Sequence, residues 1–167
     1  NGADFGRFKK IEKFHTPKKN KLNIITIGTL SYRKGQHNVI NALPEINKRF
    51  ENVLYHMVGM SNIEQDLIKI AENLGVLENI KIHGVLDDKD LNELISNSDI
   101  FMMLSENLDN GDVEGFGIAI IEANYLGLPA IGSMGCGIED AIDNNKSGIL
   151  VDNKDVKSIA NAVEGIV

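Results

Sequence analysis

Six apolar runs with strand character alternate with six helical stretches along this chain, and no other feature narrows its fold as far. The strand candidates are LNIITIG (22–28), VLYHMVG (53–59), NIKIHG (79–84), DIFMML (99–104), LPAIGS (128–133) and GILV (148–151). Helical patterning fills the gaps: from Lys34 to Phe50, from Ser61 to Leu74, through Asn97, over 116–127, near 137–143, and from Asp155 onward. Short apolar runs separated by helical stretches belong to parallel sheets covered on both faces. Right-handed crossovers between such strands predict an α/β, doubly wound, Rossmann-like domain. Ligands of these sheets sit outside the carboxyl ends of the strands, where the strand order reverses.

Local signals sharpen the boundaries. Val39, Ile40, Leu43 and Ile46 fall at helical spacing, with Pro44 expected to kink that helix. Ser61-x-x-Glu64 predicts a capping box opening the next helix, and Gly75 predicts its stop. Asp87 and Asp90 predict the cap of the third helix.

Charge and cysteine content exclude several function classes. The chain has 167 residues, enough for one domain with a substantial core, and a net charge of −7. That balance argues against nucleic acid as a partner. The charge is uneven, since Arg7, Lys9, Lys10, Lys13, Lys18, Lys19 and Lys21 face only Asp4 and Glu12 within residues 1–21. This basic leading arm reads either as a solvated connection or as a phosphate or membrane contact. Cys136 is the sole cysteine, so neither an internal disulfide nor a cysteine-based metal cluster can form. No apolar run approaches the roughly 20 residues of a membrane helix. The start, NGADFGRFKK, has no initiator Met and no apolar signal core, and reads as part of a longer protein.

Three loops leave carboxyl ends of strands. In GTLSYRKGQ (28–36), Gly28 permits a tight turn, and Arg33 and Lys34 precede a helix. Cations at a helix N-terminus suit an anion, although two basic residues there are equally read as solvated surface. The pattern is no P-loop, lacking G-x-x-x-x-G-K-[ST]. In HGVLDD (83–88), backbone groups could meet the edge of a base, while Asp87 and Asp88 serve as well as caps; His83 reads as a strand-end core residue. In SENLDNGDVEGFG (105–117), Gly115 and Gly117 flank Phe116 just before an apolar helix, leaving N–H groups free to face a diphosphate. Glu106, Asp109 and Asp112 of this loop either shape the site or are solvated.

Glu122 then sits among Ile120, Ile121 and Ala123, where a carboxylate loses hydration and either stays neutral or finds a donor. Were the chain helical from Glu114 to Glu122, the two carboxylates would stand about 12 Å apart along the axis. That excludes a close acid–base dyad or a shared metal, and leaves hydroxyl recognition at two ends of an extended ligand, or a structural pairing of Glu122.

In order, these motifs resemble the GT-B-fold glycosyltransferases of the glycosyltransferase 4 type. The Glu-x7-Glu signature stands as Glu114-GFGIAII-Glu122, preceded by GTLSYRKG, HGVLDD and SDIFMMLS and followed by LGLPAIGS and NKSGILV. Asn1-Gly2-Ala3-Asp4 and Phe8 match the start of that family's second domain, so the likeness covers essentially the whole chain. It implies the C-terminal half of a GT-B fold, with residues 1–21 as an arm and 22–167 as a nucleotide-sugar-binding domain. It also implies a retaining, hexosyl-type transferase acting in glycan or cell-surface polysaccharide synthesis. By the resemblance, Glu114 holds the transferred sugar, and Phe116, Gly117 and Ile118 contact sugar and diphosphate. Glu122 binds the ribose, Lys34 neutralises the leaving diphosphate with help from Gly28, Thr29 and Arg33, and Leu86 and Asp88 line the base. No metal or other cofactor is implied.

The family pattern is not met throughout. Thr29 stands where an Arg on the diphosphate is usual, and the loop from Ser105 to Glu114 is longer than usual. The N-terminal acceptor domain, the expected partner, is absent, so this chain alone is expected not to transfer sugar. Any peripheral membrane association would run through that domain, at the inner face of the membrane of a cytoplasmic protein. The rival reading is a non-catalytic nucleotide- or polyphosphate-binding module of the same fold. An epimerase is disfavoured by the two glutamates, and a dehydrogenase by the lack of G-x-G-x-x-G after the first strand.

Overall fold

The computed structural model describes residues 21–108, 117–144 and 146–167. Among these residues six strands form one sheet: β1 (Leu22–Ile27), β2 (Val53–Val58), β3 (Ile80–Ile82), β4 (Ile100–Met103), β5 (Ala130–Ser133) and β6 (Gly148–Val151). Every pairing is parallel, and the order is β3-β2-β1-β4-β5-β6. The order therefore reverses between β1 and β4, which is where a doubly wound sheet opens its binding crevice. This is the α/β, Rossmann-like architecture that the alternation predicts.

The helices divide between the faces because the strands are apolar on both. Helices α1 (Gln36–Asn47), α2 (Glu64–Asn73) and α5 (Val156–Ile166) pack with Ile24, Tyr55, Met57 and Met102. Helices α3 (Asp88–Ser96) and α4 (Ile118–Tyr125) pack with Ile25, Phe101 and Met103 on the other side. All four residues of β4 are fully buried, each contributing about 1.5–3 kcal/mol of transfer free energy. At the amino end of the switch, buried Asp99 takes the N–H of Asn23 at 2.7 Å and donates its own N–H to the Asn23 carbonyl at 2.8 Å. This long-range clasp fixes β1 against β4, and so fixes where the crevice lies.

Several local expectations need correction. The first helix starts at Gln36 rather than Lys34, because Tyr32–Lys34 forms a separate 3-10 turn capped by the Ser31 hydroxyl. Pro44 lies inside α1, and the fully buried Val39, Ile40, Leu43 and Ile46 on either side hold the helix together. No capping box forms at Ser61; its hydroxyl accepts from Ile63 N, and Ile63 occupies the cap position without a side-chain bond. Asp87 does cap α3, accepting from Asp90 N at 2.9 Å. Strand β3 is only three residues long, ending before His83.

Candidate functional site

The exit from β1 is built to carry a cation over the strand end. Gly28 N donates to Val58 O at 2.9 Å, and Leu30 N to Met60 O at 2.8 Å, holding the start of the loop beside β2. Gln36, fully buried, stitches the loop internally: its Nε2 donates to Thr29 O at 3.2 Å and its Oε1 accepts from Ser31 N at 3.2 Å. The 3-10 turn then folds back, so that Lys34 Cε lies 3.9 Å from where a Cβ on Gly28 would stand. Gly28 and Lys34 are thus brought together, with Arg33 beside Lys34 in the same turn and Thr29 exposed at the loop's start.

The exit from β4 is joined to this turn residue by residue. Gly35 has φ 72°, and a Cβ there would meet Leu104 O at 1.8 Å, so only glycine permits this approach. Asn38, almost fully buried, donates from Nδ2 to Leu104 O at 3.0 Å. Ser105 Oγ donates to Lys34 O at 3.5 Å, and Glu106 N to Arg33 O at 3.0 Å. The Glu106 carboxylate pairs with His37 Nε2 at 3.1 Å. Burial holds the His37 pKa below the ordinary imidazole range, with the Glu106 carboxylate opposing that shift. Of the loop's acidic residues, Glu106 is therefore structural in its setting; Asp109 and Asp112 lie outside the described residues.

The third wall is α4. Its cap residue Gly117 is left-handed, with φ 69° and ψ 46°, and the helix begins at Ile118. A left-handed residue interrupts the helix, which removes the premise of a continuous helical rise from Glu114 to Glu122. Glu114 and Phe116 lie outside the described residues. Glu122 is half-buried rather than engulfed, and it lines a small cavity with Ile25 and Ile27 of β1, Ile95 of α3 and Phe101 of β4. Glu122 is thereby carried by α4 beside Ile25 and Ile27, near the end of β1. Leu86 lies on the loop after β3, and Asp88 opens α3. Leu86 is half-buried against the α3–α4 side of the core, and Asp88 is exposed as the first residue of α3.

The polar residues Gln36, His37 and Asn38 were not singled out by sequence reasoning. Their signal is that three consecutive polar residues open a helix whose next turn is apolar except for Asn41, so at least one must face inward. His83 is likewise more than a core residue: its Nε2 lies 2.9 Å from Nδ1 of buried His56. Burial first, then His83, Lys81 and Lys21, push the His56 pKa down to about 4. A roomier groove, lined by Asn124, Gly127, Lys146 and Gly165 among others, lies at the amino ends of β5 and β6, away from the switch point. Among the described residues no group of three His, Cys, Asp or Glu could hold a metal, and no helix is long and apolar enough to cross a membrane.

Comparison with known proteins decides the family. The model of the glycosyl transferases group 1 family matches residues 7–167. The chain belongs to this family. A GDP-mannose-dependent alpha-(1-6)-phosphatidylinositol monomannoside mannosyltransferase of Mycobacterium tuberculosis is 31% identical over 141 residues, covering 84% of this chain and 37% of the relative. The group 1 domain also superposes on Anabaena HepE in complex with UDP, with a TM-score of 0.72 and 25% identity over 87% of this chain and 39% of that one. The C-terminal domain of a group 1 family protein, LpcC, from Francisella tularensis gives a TM-score of 0.77 at 20% identity, covering 98% of this chain and 87% of that domain, which speaks to fold alone. The fold is thus a parallel, Rossmann-like sheet flanked by helices, that of a GT-B-fold domain. The chain spans well under half the length of the curated relative it matches.

Proposed function

We propose that residues 22–167 form the nucleotide-sugar donor domain of a retaining, hexosyl-type glycosyltransferase, preceded by the basic arm 1–21 and completed by an acceptor domain elsewhere in the enzyme. The observation that carries this reading is the placement of Lys34 over Gly28 at the β1/β4 switch, clamped to the β4 exit. A cation held there, beside the start of α1, is suited to stabilise negative charge growing on a departing diphosphate. Gly28, Thr29 and Arg33 line the same turn. The half-buried Glu122, against the end of β1, is suited to accept hydrogen bonds from ribose hydroxyls. Glu114 is assigned the transferred sugar, Phe116, Gly117 and Ile118 the sugar and diphosphate, and Leu86 and Asp88 the base, on the family pattern.

The UDP bound to HepE supports a nucleoside diphosphate as the common element of the ligand. Synthesis of a glycan or cell-surface polysaccharide, on the cytoplasmic side of a membrane, is the setting we propose. The rival, a non-catalytic nucleotide-binding module, draws on Thr29, which supplies no charge where the family usually has an Arg. Thermal unfolding with UDP, GDP, ADP and their sugars tests the donor site, because a ligand that binds only the folded chain must raise its midpoint. If none moves the midpoint at about millimolar concentration, where a ligand at 100 times its Kd would add about 2.7 kcal/mol, the reading fails.

A further inference from the structure

Glu106 poses a physical problem for any anion site at this turn. Its N–H is bound to Arg33 O at 3.0 Å, so it adjoins the two cations there. A carboxylate beside a bound diphosphate opposes binding by Coulomb's law. If Glu106 helps, it must help through geometry. Its side chain is 20% exposed, that of His37 12%, and the two meet at 3.1 Å. His37 Nδ1 is buried and accepts no donor, which suits a neutral ring protonated on Nε2 and donating to the carboxylate. The ring of Tyr32, first residue of the 3-10 turn, meets the same imidazole in an edge-type contact with ring centroids 5.1 Å apart. The neighbouring Ser105 carbonyl is gripped from the far half of the sheet by Ser133 Oγ at 2.6 Å and Asn153 Nδ2 at 2.9 Å. One side of this segment is anchored to β5 and β6, and the other to the Lys34 turn.

We propose that Glu106 is a positioning residue: through His37 and Arg33 O it clamps the Tyr32–Lys34 turn to the β4 exit and so sets where Lys34 presents its charge. The inference rests on the donor-site reading above. It predicts an order of affinities that neither a charge effect nor general loss of structure gives. Gln at 106 keeps an acceptor for His37 and removes the repulsion, whereas Ala removes both. For the nucleoside diphosphate that binds best among UDP, GDP and ADP, Glu106→Gln binds as well as the wild type or better. Glu106→Ala binds about fivefold more weakly, by calorimetry on the whole chain, a change of about 1 kcal/mol. In a Lys34→Met background the Ala substitution costs nothing further, since there is no longer a cation to position.

Tighter binding in both variants would mean that Glu106 acts by charge alone, and equal weakening in both would mean a general structural role. Either result, or an undiminished Ala penalty without Lys34, overturns the proposal. Should no diphosphate bind the wild type, the donor-site reading falls and the clamp is judged by hydrogen exchange. Glu106→Ala must then speed exchange at the Lys34 and Gly35 amides, bonded to Ser31 O and Tyr32 O, while leaving the β1–β2 ladder unchanged. Unchanged exchange at those two amides overturns it.

Discussion

Gly35→Ala should be far more damaging than its small size suggests, and a second glycine in the same molecule supplies the control. Gly35 and Gly75 have nearly the same backbone, φ 72° and φ 68°. An added Cβ at Gly75 meets nothing within 4 Å, so Gly75→Ala carries only the dihedral cost, about 1–2 kcal/mol. At Gly35 the same Cβ would stand 1.8 Å from Leu104 O and 2.9 Å from Ser105 N, where ordinary contact begins at 3.4 Å. Turn and strand must therefore part by about 1.6 Å, the gap between those values. That separation exceeds the tolerance of the Asn38 Nδ2 to Leu104 O bond, now 3.0 Å, and of Glu106 N to Arg33 O, also 3.0 Å. Asn38 is 5% exposed, so stranding its amide costs a further 1–3 kcal/mol or so. Gly35→Ala should then lose about 2–4 kcal/mol more than Gly75→Ala in urea unfolding, and weaken nucleotide binding where Gly75→Ala does not. Equal losses in the two variants would refute the claim that close approach, rather than backbone conformation, is what demands glycine at 35.

Acid should destabilise the fold through His56. Its folded pKa of about 4 lies below the unfolded value of 6.5, so the folded state favours the neutral ring. The associated stability is complete above pH 6.5 and drains as pH falls toward 4, by at most about 3 kcal/mol. Urea unfolding from pH 7 to 4.5 should show that slope in the wild type and flatten in His56→Gln; parallel profiles would contradict it. Glu122→Gln should weaken free nucleotide, by about 1–2 kcal/mol, as measured by calorimetry. No change would remove Glu122 from the ribose. Thr29→Arg should restore a charged grip and tighten diphosphate binding about tenfold, with a steeper loss in salt, and a neutral effect would show that residue 29 does not face the anion.

What could be read in the sequence follows from how local each feature is. The β4 run IFMM announces a strand buried on both faces, because only a covered parallel strand tolerates apolar residues in succession. The Lys34 turn was visible as cations at a strand exit. Its 3-10 geometry was not, since it depends on the Ser31 cap and on Gly35 meeting a carbonyl about seventy residues away, at Leu104. Ser61 shows the opposite error, a correct local pattern overruled: Glu64 is in place, yet the chain bridges Leu30 to Ser61 instead, and the hydroxyl turns to Ile63 N. Glu122 was noticed for its apolar neighbours in sequence, but half of a helix faces outward, and the side chain is half-buried at the edge of the switch.

The pairing of His37 with Glu106 was beyond sequence reasoning because neither residue is unusual where it stands. A histidine in a first turn and an acid in a polar loop are both ordinary. They acquire a role only when β1 and β4 become neighbours, and that adjacency is fixed at the other end of the strands by Asp99 and Asn23. The geometry of the candidate site is thus set by a buried clasp at the amino end of the sheet. It follows that Asp99→Asn, which leaves a polar side chain but weakens the bond to Asn23 N, should loosen the Lys34 turn as well as the fold. Hydrogen exchange at Gly35 and Glu106 should rise with that at Ile24. If the two ends of the strands exchange independently, the crevice is held by its own loops and the clasp does not govern it.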